Sequence, residues 1–262
     1  MATQPGILRK GNKFRTNMTT LEFLEFSKTQ EHVKHDSDRN KTGFITISEH
    51  LKRINGSATA VRSLRAGFQN LLERSDNHFT GRLMKVVTGI YNKDREGEHH
   101  KRSIFFSRHR SFLHNINNIN IRKTGFDMIA HLLDVIHSED RIAATLIAKE
   151  VEIKSCIIPR SATHYRILHH LSVISDFAFS EDKLCYEPLG VSNEMSVIVY
   201  SEYMPVGTML DTEVVASFPS GTVLSDADTV IACAGIEFCY ETGAEHKKFF
   251  LCGGGVGVVD VF

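Results

Sequence analysis

"THYRILHHLSVI", residues 163–174, has the composition of a β-strand, with Thr, Tyr, Ile and Val spread along it. As an extended chain it sends His164, Arg166, Leu168 and His170 to one face, and Tyr165, Ile167, His169 and Leu171 to the other. The second face is mostly apolar, which predicts a strand with that face in a core. His169 on this face is expected to be partly buried and hydrogen-bonded rather than catalytic.

The surrounding sequence has the same texture. β-branched runs separated by turn residues predict further strands at "RIAATLIA" (141–148), "VEIKSCII" (151–158), "FAFS" (177–180), "SVIVYSEYM" (196–204), "TEVVASF" (212–218), "TVIACAGIEFCYE" (229–241), "KFFLC" (248–252) and "VGVVDVF" (256–262). "DMIAHLLDVI" (127–136) reads equally well as a helix. Short strands broken every eight to twelve residues suggest a β-sandwich or an open barrel.

Upstream the period changes. Val61, Leu64, Phe68, Leu71 and Leu72 recur at helical spacing, with Arg62, Arg65 and Arg74 outside the stripe. After "RSDNHFTGR" a second helix is predicted from about Thr80 through Leu83, Met84, Val87 and Ile90, closed by "NKDREGEHH". A short loop between two helices implies an antiparallel hairpin, packed through Leu64, Phe68, Leu71, Leu83, Met84 and Val87. Before it, "TTLEFLEFSKTQEHVKH" reads as strand or helix, "DSDRNKTGF" as a loop and "FITI" as a short strand.

The expected architecture is therefore α+β: a helical hairpin followed by a C-terminal antiparallel β-sandwich with immunoglobulin-like proportions. Its parts are an irregular segment with short strands (1–56), a basic helical hairpin region (57–123) and an acidic β-sandwich domain (124–262). At 262 residues the chain is long enough to bury substantial cores, and its 42% hydrophobic and 24% charged content is ordinary globular usage.

A net charge of zero conceals a division. Residues 1–150 carry 25 Lys and Arg against 16 Asp and Glu, a balance of +9, whereas residues 151–262 carry 6 against 15, a balance of −9. Such polarity bears on solubility and association rather than on fold.

No apolar h-region follows the N-terminal charges, and no apolar run approaches eighteen residues, so neither a secretory signal nor a spanning helix is expected. Phe262 on an apolar strand is a feature of outer-membrane barrel ends, but Asp260 argues against that reading. A cytoplasmic location, or release as part of an assembly, is the expectation. The five cysteines (Cys156, Cys185, Cys233, Cys239 and Cys252) are odd in number and show no C-x-x-C, which predicts reduced core thiols.

The order of parts resembles an uncharacterised family of hypothetical proteins common in Bacteroidetes genomes. "PGIL" (5–8), "INGSATAVRSLRAGFQNLL" (54–72), "PRSATHYRIL" (159–168) and "AGIEFCYETG" (234–243) carry the resemblance, spread over about two thirds of the chain. It implies the helix-then-sandwich order and no activity, cofactor or catalytic residue. "TTLEFLEFSKTQEHVKH" departs from the glycine-punctuated hairpin of that family's first fifty residues.

The chemical motifs are weak. His99, His100, His109 and His114 are close in sequence, but His109 and His114 are five apart and no H-E-x-x-H occurs, so no metal site is expected. "CGGGVGVVDVF" lacks the G-K-[ST] of a phosphate loop and reads as a turn or bulge before a last strand. "SEDK" (180–183) matches S-x-x-K, yet both K-T-G triplets, in "NKTGF" and "RKTGF", precede it. Asp226 and Asp228 in "LSDADTV" read as a turn. No catalytic residue and no cofactor is expected.

The basic stretch "GEHHKRSIFFSRHRSFLHN" (97–115) reads as a buried Ile104-Phe105-Phe106 with wet flanks. Lys101, Arg102, Arg108 and Arg110 are the candidate contacts to nucleic acid or a partner. Val256, Val258, Val259, Val261 and Phe262 form a candidate assembly strand. The preferred function is a non-enzymatic structural or interaction protein that self-assembles, with a homo-oligomer or partner protein implied. A nucleic-acid-associated protein and a hydrolase with a dispersed site are the alternatives.

Overall fold

In the computed structural model, residues 47–94, 101–116, 127–153, 157–242 and 248–262 are described, with side chains from 56 onward except at 73–74 and 127–128. Two compact units divide the chain, residues 1–50 and 51–262. Of the first, only the helical residues 47–50 are described; the second holds every strand among the described residues. "TTLEFLEFSKTQEHVKH", both K-T-G turns, His99, His100 and Cys156 lie outside the described residues.

Among the described residues ten strands dominate, in an α+β arrangement whose sheets are antiparallel throughout: β1 Leu133–His137, β2 Ala143–Val151, β3 His164–Ser175, β4 Phe177–Ser180, β5 Cys185–Pro188, β6 Ser196–Tyr200, β7 Met204–Pro205, β8 Leu210–Ser217, β9 Asp228–Thr242 and β10 Lys248–Val261. The large sheet runs β10-β9-β3-β6, with β7 also paired to β3. A smaller sheet runs β1-β2-β8, and β4 and β5 form a separate hairpin.

The strand β3, read at 163–174 in the sequence, lies in the interior of the large sheet of the second unit. Tyr165, Ile167, Leu171 and Val173 of β3 pack with Val230, Ala232, Ala234, Ile236 and Phe238 of β9 against Ala144, Leu146, Val214 and Ala216 of the smaller sheet. The alternate residues Leu168 and Ile174, with Ile231 and Cys233, pack against the helices. The large sheet is thus a middle layer, with helices on one side and the smaller sheet on the other. From Ile167 onward both faces of β3 are buried, so that His170 is as dry as the face sequence alternation assigned to the core, while His164 and Arg166 at the start of the strand are half-buried. A strand covered on both faces has no wet side to reveal in its pattern.

Helix α1 spans Ile47–Gly67, beginning ten residues before the expected start at 57 and including Ile47 of "FITI". Val61 and Leu64 lie on its buried face. Leu71 and Leu72, expected on the same helix, sit instead on a 3-10 helix, Gln69–Arg74, after the chain bends at Phe68. Ser75 closes that turn through its amide and its hydroxyl, both donating to the Leu72 carbonyl at 3.0 and 2.7 Å. Asp76 then accepts from the His78 amide and the Arg82 guanidinium, fixing the entry to α2, Phe79–Tyr91. Of the six expected packing residues, Leu64, Phe68, Leu71, Leu83 and Val87 are buried and Met84 is half-buried. These helices pack on the sheet rather than forming a free-standing hairpin region.

"DMIAHLLDVI" is divided between both readings: a single helical turn, α3 at Asp127–Ala130, then β1. Of "VEIKSCII", Val151 alone among the described residues is in a strand. The runs "KFFLC" and "VGVVDVF" join into the one strand β10. Its glycines carry a bulge, a register shift between Leu251 and Gly253, without breaking the strand. A Cβ at Gly254 would stand 2.6 Å from the Ile236 carbonyl oxygen, so the close cross-strand approach there requires glycine.

Candidate interaction surfaces

The basic stretch of 101–116 is anchored by its apolar residues. Ile104 exchanges two backbone hydrogen bonds with Phe177, at 2.8 and 3.0 Å, and so adds a third rung beside the β4–β5 hairpin. Ile104 and Phe106 are fully buried, and Phe106 meets Phe177 edge-on. Phe105 is only half-buried, with the Arg108 guanidinium 4.1 Å above its ring. Ser107 donates its amide and hydroxyl to Asp176, whose carboxyl burial pushes to a higher pKa despite those bonds.

The four candidate contact residues do not present one free cationic face. Lys101 pairs with Glu181 and lies over Phe179. Arg102 and Arg110 are half-buried, each with an Nε that has no hydrogen-bond partner. Arg108 alone of the four is exposed. The candidate assembly residues Val256, Val258, Val259, Val261 and Phe262 are the last part of β10 and its end. Val256 and Phe262 are buried, and Phe262 exchanges two backbone bonds with Val230. Their side chains are committed to the cores, so a chain stopping at Gly255 loses core strand rather than a detachable arm.

The histidines of β3 are structural in their surroundings. His169 Nδ1 lies 3.0 Å from the Val214 carbonyl oxygen, which fixes Nδ1 as the donor; the side chain is hydrogen-bonded as expected, and fully rather than partly buried. His170 stacks on Phe68, and neither of its nitrogens has a partner in hydrogen-bonding geometry. Burial first, then the neighbouring His169, holds the His170 pKa down at about 3, with the Gly67 carbonyl opposing weakly. Burial lowers His169 as well. Among the described residues no three His, Cys, Asp or Glu side chains converge as metal ligands.

Two polar clusters went unread in the sequence. At one end of β3, buried Asp228 accepts from the Ser175 hydroxyl and from the Ser225 amide and hydroxyl, the last two at 2.8 Å. Arg141 donates to the Asp228 and Ser225 carbonyls, and Gly190 lies so close that a Cβ would stand 2.0 Å from Oδ1. The expected turn at "LSDADTV" is present and is latched by this carboxylate. At the other end, Arg166 bonds the buried Glu237 at 2.7 and 2.8 Å, with its guanidinium 3.8 Å over Tyr200 and 4.9 Å over Tyr203. Ser175 and Arg166 reach their carboxylates across distant segments, whereas Ser225 bonds Asp228 from three residues away. "SEDK" is the tip of the β4–β5 hairpin, where Lys183 pairs with Glu187.

Charge follows the layers. Described side chains of the helical layer and the 101–116 segment include nine Lys and Arg (Arg62, Arg65, Arg82, Lys85, Lys93, Lys101, Arg102, Arg108, Arg110) against Asp76 and Asp94, a balance of +7. The smaller sheet with its β1–β2 turn carries Asp134, Glu139, Asp140, Glu150, Asp211 and Glu213 against Arg141 and Lys149, a balance of −4. The large sheet stands between them; the β4–β5 hairpin beside the 101–116 segment adds Glu181, Asp182 and Glu187 against Lys183, which lowers the balance on the helical side to +5.

The chain matches no protein-family model, no curated protein and no solved structure. Among the described residues, no helix is long and apolar enough to cross a membrane.

Proposed function

We propose that the protein is a structural or interaction subunit that works by associating with further copies of itself. The observation that carries this reading is the segregation of charge: a basic helical layer and an acidic small sheet on opposite sides of the large sheet. Sheet layers stand about 10 Å apart, so two spacings exceed the screening length of about 8 Å at physiological salt. Opposite charges so placed do little for each other within one molecule and are available to a neighbour. The mass of the full chain in solution, measured at low and physiological salt over a range of concentrations, tests the reading. Association that weakens with salt is expected; a monomer throughout refutes it.

The strand order also supports an immunoglobulin-like sandwich. Setting aside the short β7 and the β4–β5 hairpin, the seven strands in chain order, named A to G, make sheets A-B-E and G-F-C-D. Constant-type immunoglobulin sheets are A-B-E-D and C-F-G, so the fourth strand alone changes sheet. The Bacteroidetes resemblance adds the helix-then-sandwich order to this proposal and nothing about activity.

A second reading, nucleic-acid association, draws on the +7 helical layer and on exposed Arg108 stacked over Phe105. Retention on nucleic acid at moderate salt that Arg108→Glu abolishes would favour it.

A further inference from the structure

The outer face of the smaller sheet is built from cross-strand rows that alternate in kind. Ile136, Thr145 and Val215 stand opposite one another across β1, β2 and β8, and Asp134, Ile147 and Glu213 form the next row. Ile136 is 61% and Val215 56% exposed, on the two edge strands that flank Thr145 of the central strand. Their neighbours Ala144, Leu146, Val214 and Ala216 point inward and are buried, so the exposure belongs to this face and not to loose packing. Carboxylates flank Ile147 on both sides, and Asp211 extends the acidic margin along β8.

We propose, resting on the assembly reading above, that this face docks the basic helical layer of a second copy. Exposed Arg62 of α1 and Lys85 of α2 supply the complementary charge. The apolar row supplies what charge alone lacks, a patch that gains from leaving water. A copy's own helical layer lies on the far side of the large sheet and does not reach this face, so the contact is heterologous and propagates head to tail unless it closes into a ring. Three strands about 4.8 Å apart span less than the roughly 800 Å² per partner of a standard interface, so each contact is weak and association depends on concentration.

The experiment uses two double variants of the full chain, Ile136→Lys with Val215→Lys and Arg62→Glu with Lys85→Glu, each checked for an unchanged thermal midpoint. All four positions are exposed, so folding is not at stake. Sedimentation velocity at low salt should show concentration-dependent growth for the native chain and at least tenfold weaker association for each variant alone. Mixed one to one, the first variant keeps an intact helical layer and the second an intact sheet face, so the mixture should form a dimer and nothing larger. If the native chain associates and the lysine variant associates equally well, the docking face is wrong while assembly stands. If each variant alone is monomeric and the mixture is too, the head-to-tail geometry is wrong. A native chain that stays monomeric overturns both this inference and the reading on which it rests.

Discussion

Acid should loosen this fold through His170 before it titrates most of the carboxylates. In the unfolded chain an imidazole takes up its proton near pH 6.5, whereas burial against Phe68 holds His170 at about 3 in the folded state. The folded value is the lower one, so the unfolded chain binds the proton first and stability falls as the pH drops below 6.5. Between pH 7 and pH 5 the loss works out at about 2 kcal/mol, at 1.36 kcal/mol for each pH unit below the unfolded value. Burial of His169 acts in the same direction. Asp176, whose pKa burial raises, acts in the opposite one, because its folded state gains the proton first. Comparison with His170→Leu cancels both: the variant fills a similar volume and has nothing to titrate. Urea unfolding at pH 7 and pH 5 should show the native protein losing about 2 kcal/mol more than the variant. Equal losses would mean that His170 is hydrated or bonded in the folded state, and the buried packing described for it would be wrong.

Phe68→Ala should cost about 3 to 5 kcal/mol, read as a shift of the denaturant midpoint, because the ring is fully buried between Phe79 and His170. Gly190→Ala should destabilise by about 1 to 3 kcal/mol on the same assay, because the new methyl displaces the Asp228 carboxylate from its serine bonds; an unchanged midpoint would show that the latch is not closed. Alkylation without reductant should modify all five cysteines in denaturant. In the native protein exposed Cys185 should react first, and Cys233 and Cys239 should resist, since both are buried and burial pushes Cys239 up to about 11. Detection of an intramolecular bridge by mass would contradict the four free thiols described.

The β-rich half was legible because its pattern is local. "FAFS", "TEVVASF" and "TVIACAGIEFCYE" each alternate or run apolar between turn residues, and each is a strand. The helices were legible through Leu64, Leu83 and Val87, all on the predicted stripe. Their ends were not: Phe68, Leu71 and Leu72 keep helical spacing through a bend into a 3-10 helix, and apolar periodicity does not register a change of pitch over one turn. The burial of His170 was hidden for a different reason. Whether the second face of β3 is wet depends on what covers it, and the covering residues lie about a hundred positions away in sequence, on α1 and α2. The Asp228 latch and the Arg166–Glu237 pair fall in the same class. Each joins segments that only the folded sheet brings together.

The layers divide charge differently from the chain: of the six carboxylates of the smaller sheet and its turn, Asp134, Glu139, Asp140 and Glu150 belong to the basic first part and Asp211 and Glu213 to the acidic second. Had the helices packed on the outer face of the smaller sheet, the basic layer and this acidic sheet would have met within one molecule. They pack instead on the far side of β3 and β9, against Leu168, Ile231 and Cys233, and leave the row Ile136-Thr145-Val215 uncovered. Among the described residues, Lys101 pairs with Glu181 across the parts, and the neutral hydroxyls of Ser63 and Ser107 donate to Glu194 and Asp176. An exposed pair contributes about 0 to 1 kcal/mol, too little to cancel the remaining separation. In the proposed docking, a neighbour's helical layer would meet both the carboxylates and the exposed aliphatic residues of this face in one contact, and that pairing of unlike faces is what would give the proposed association its direction.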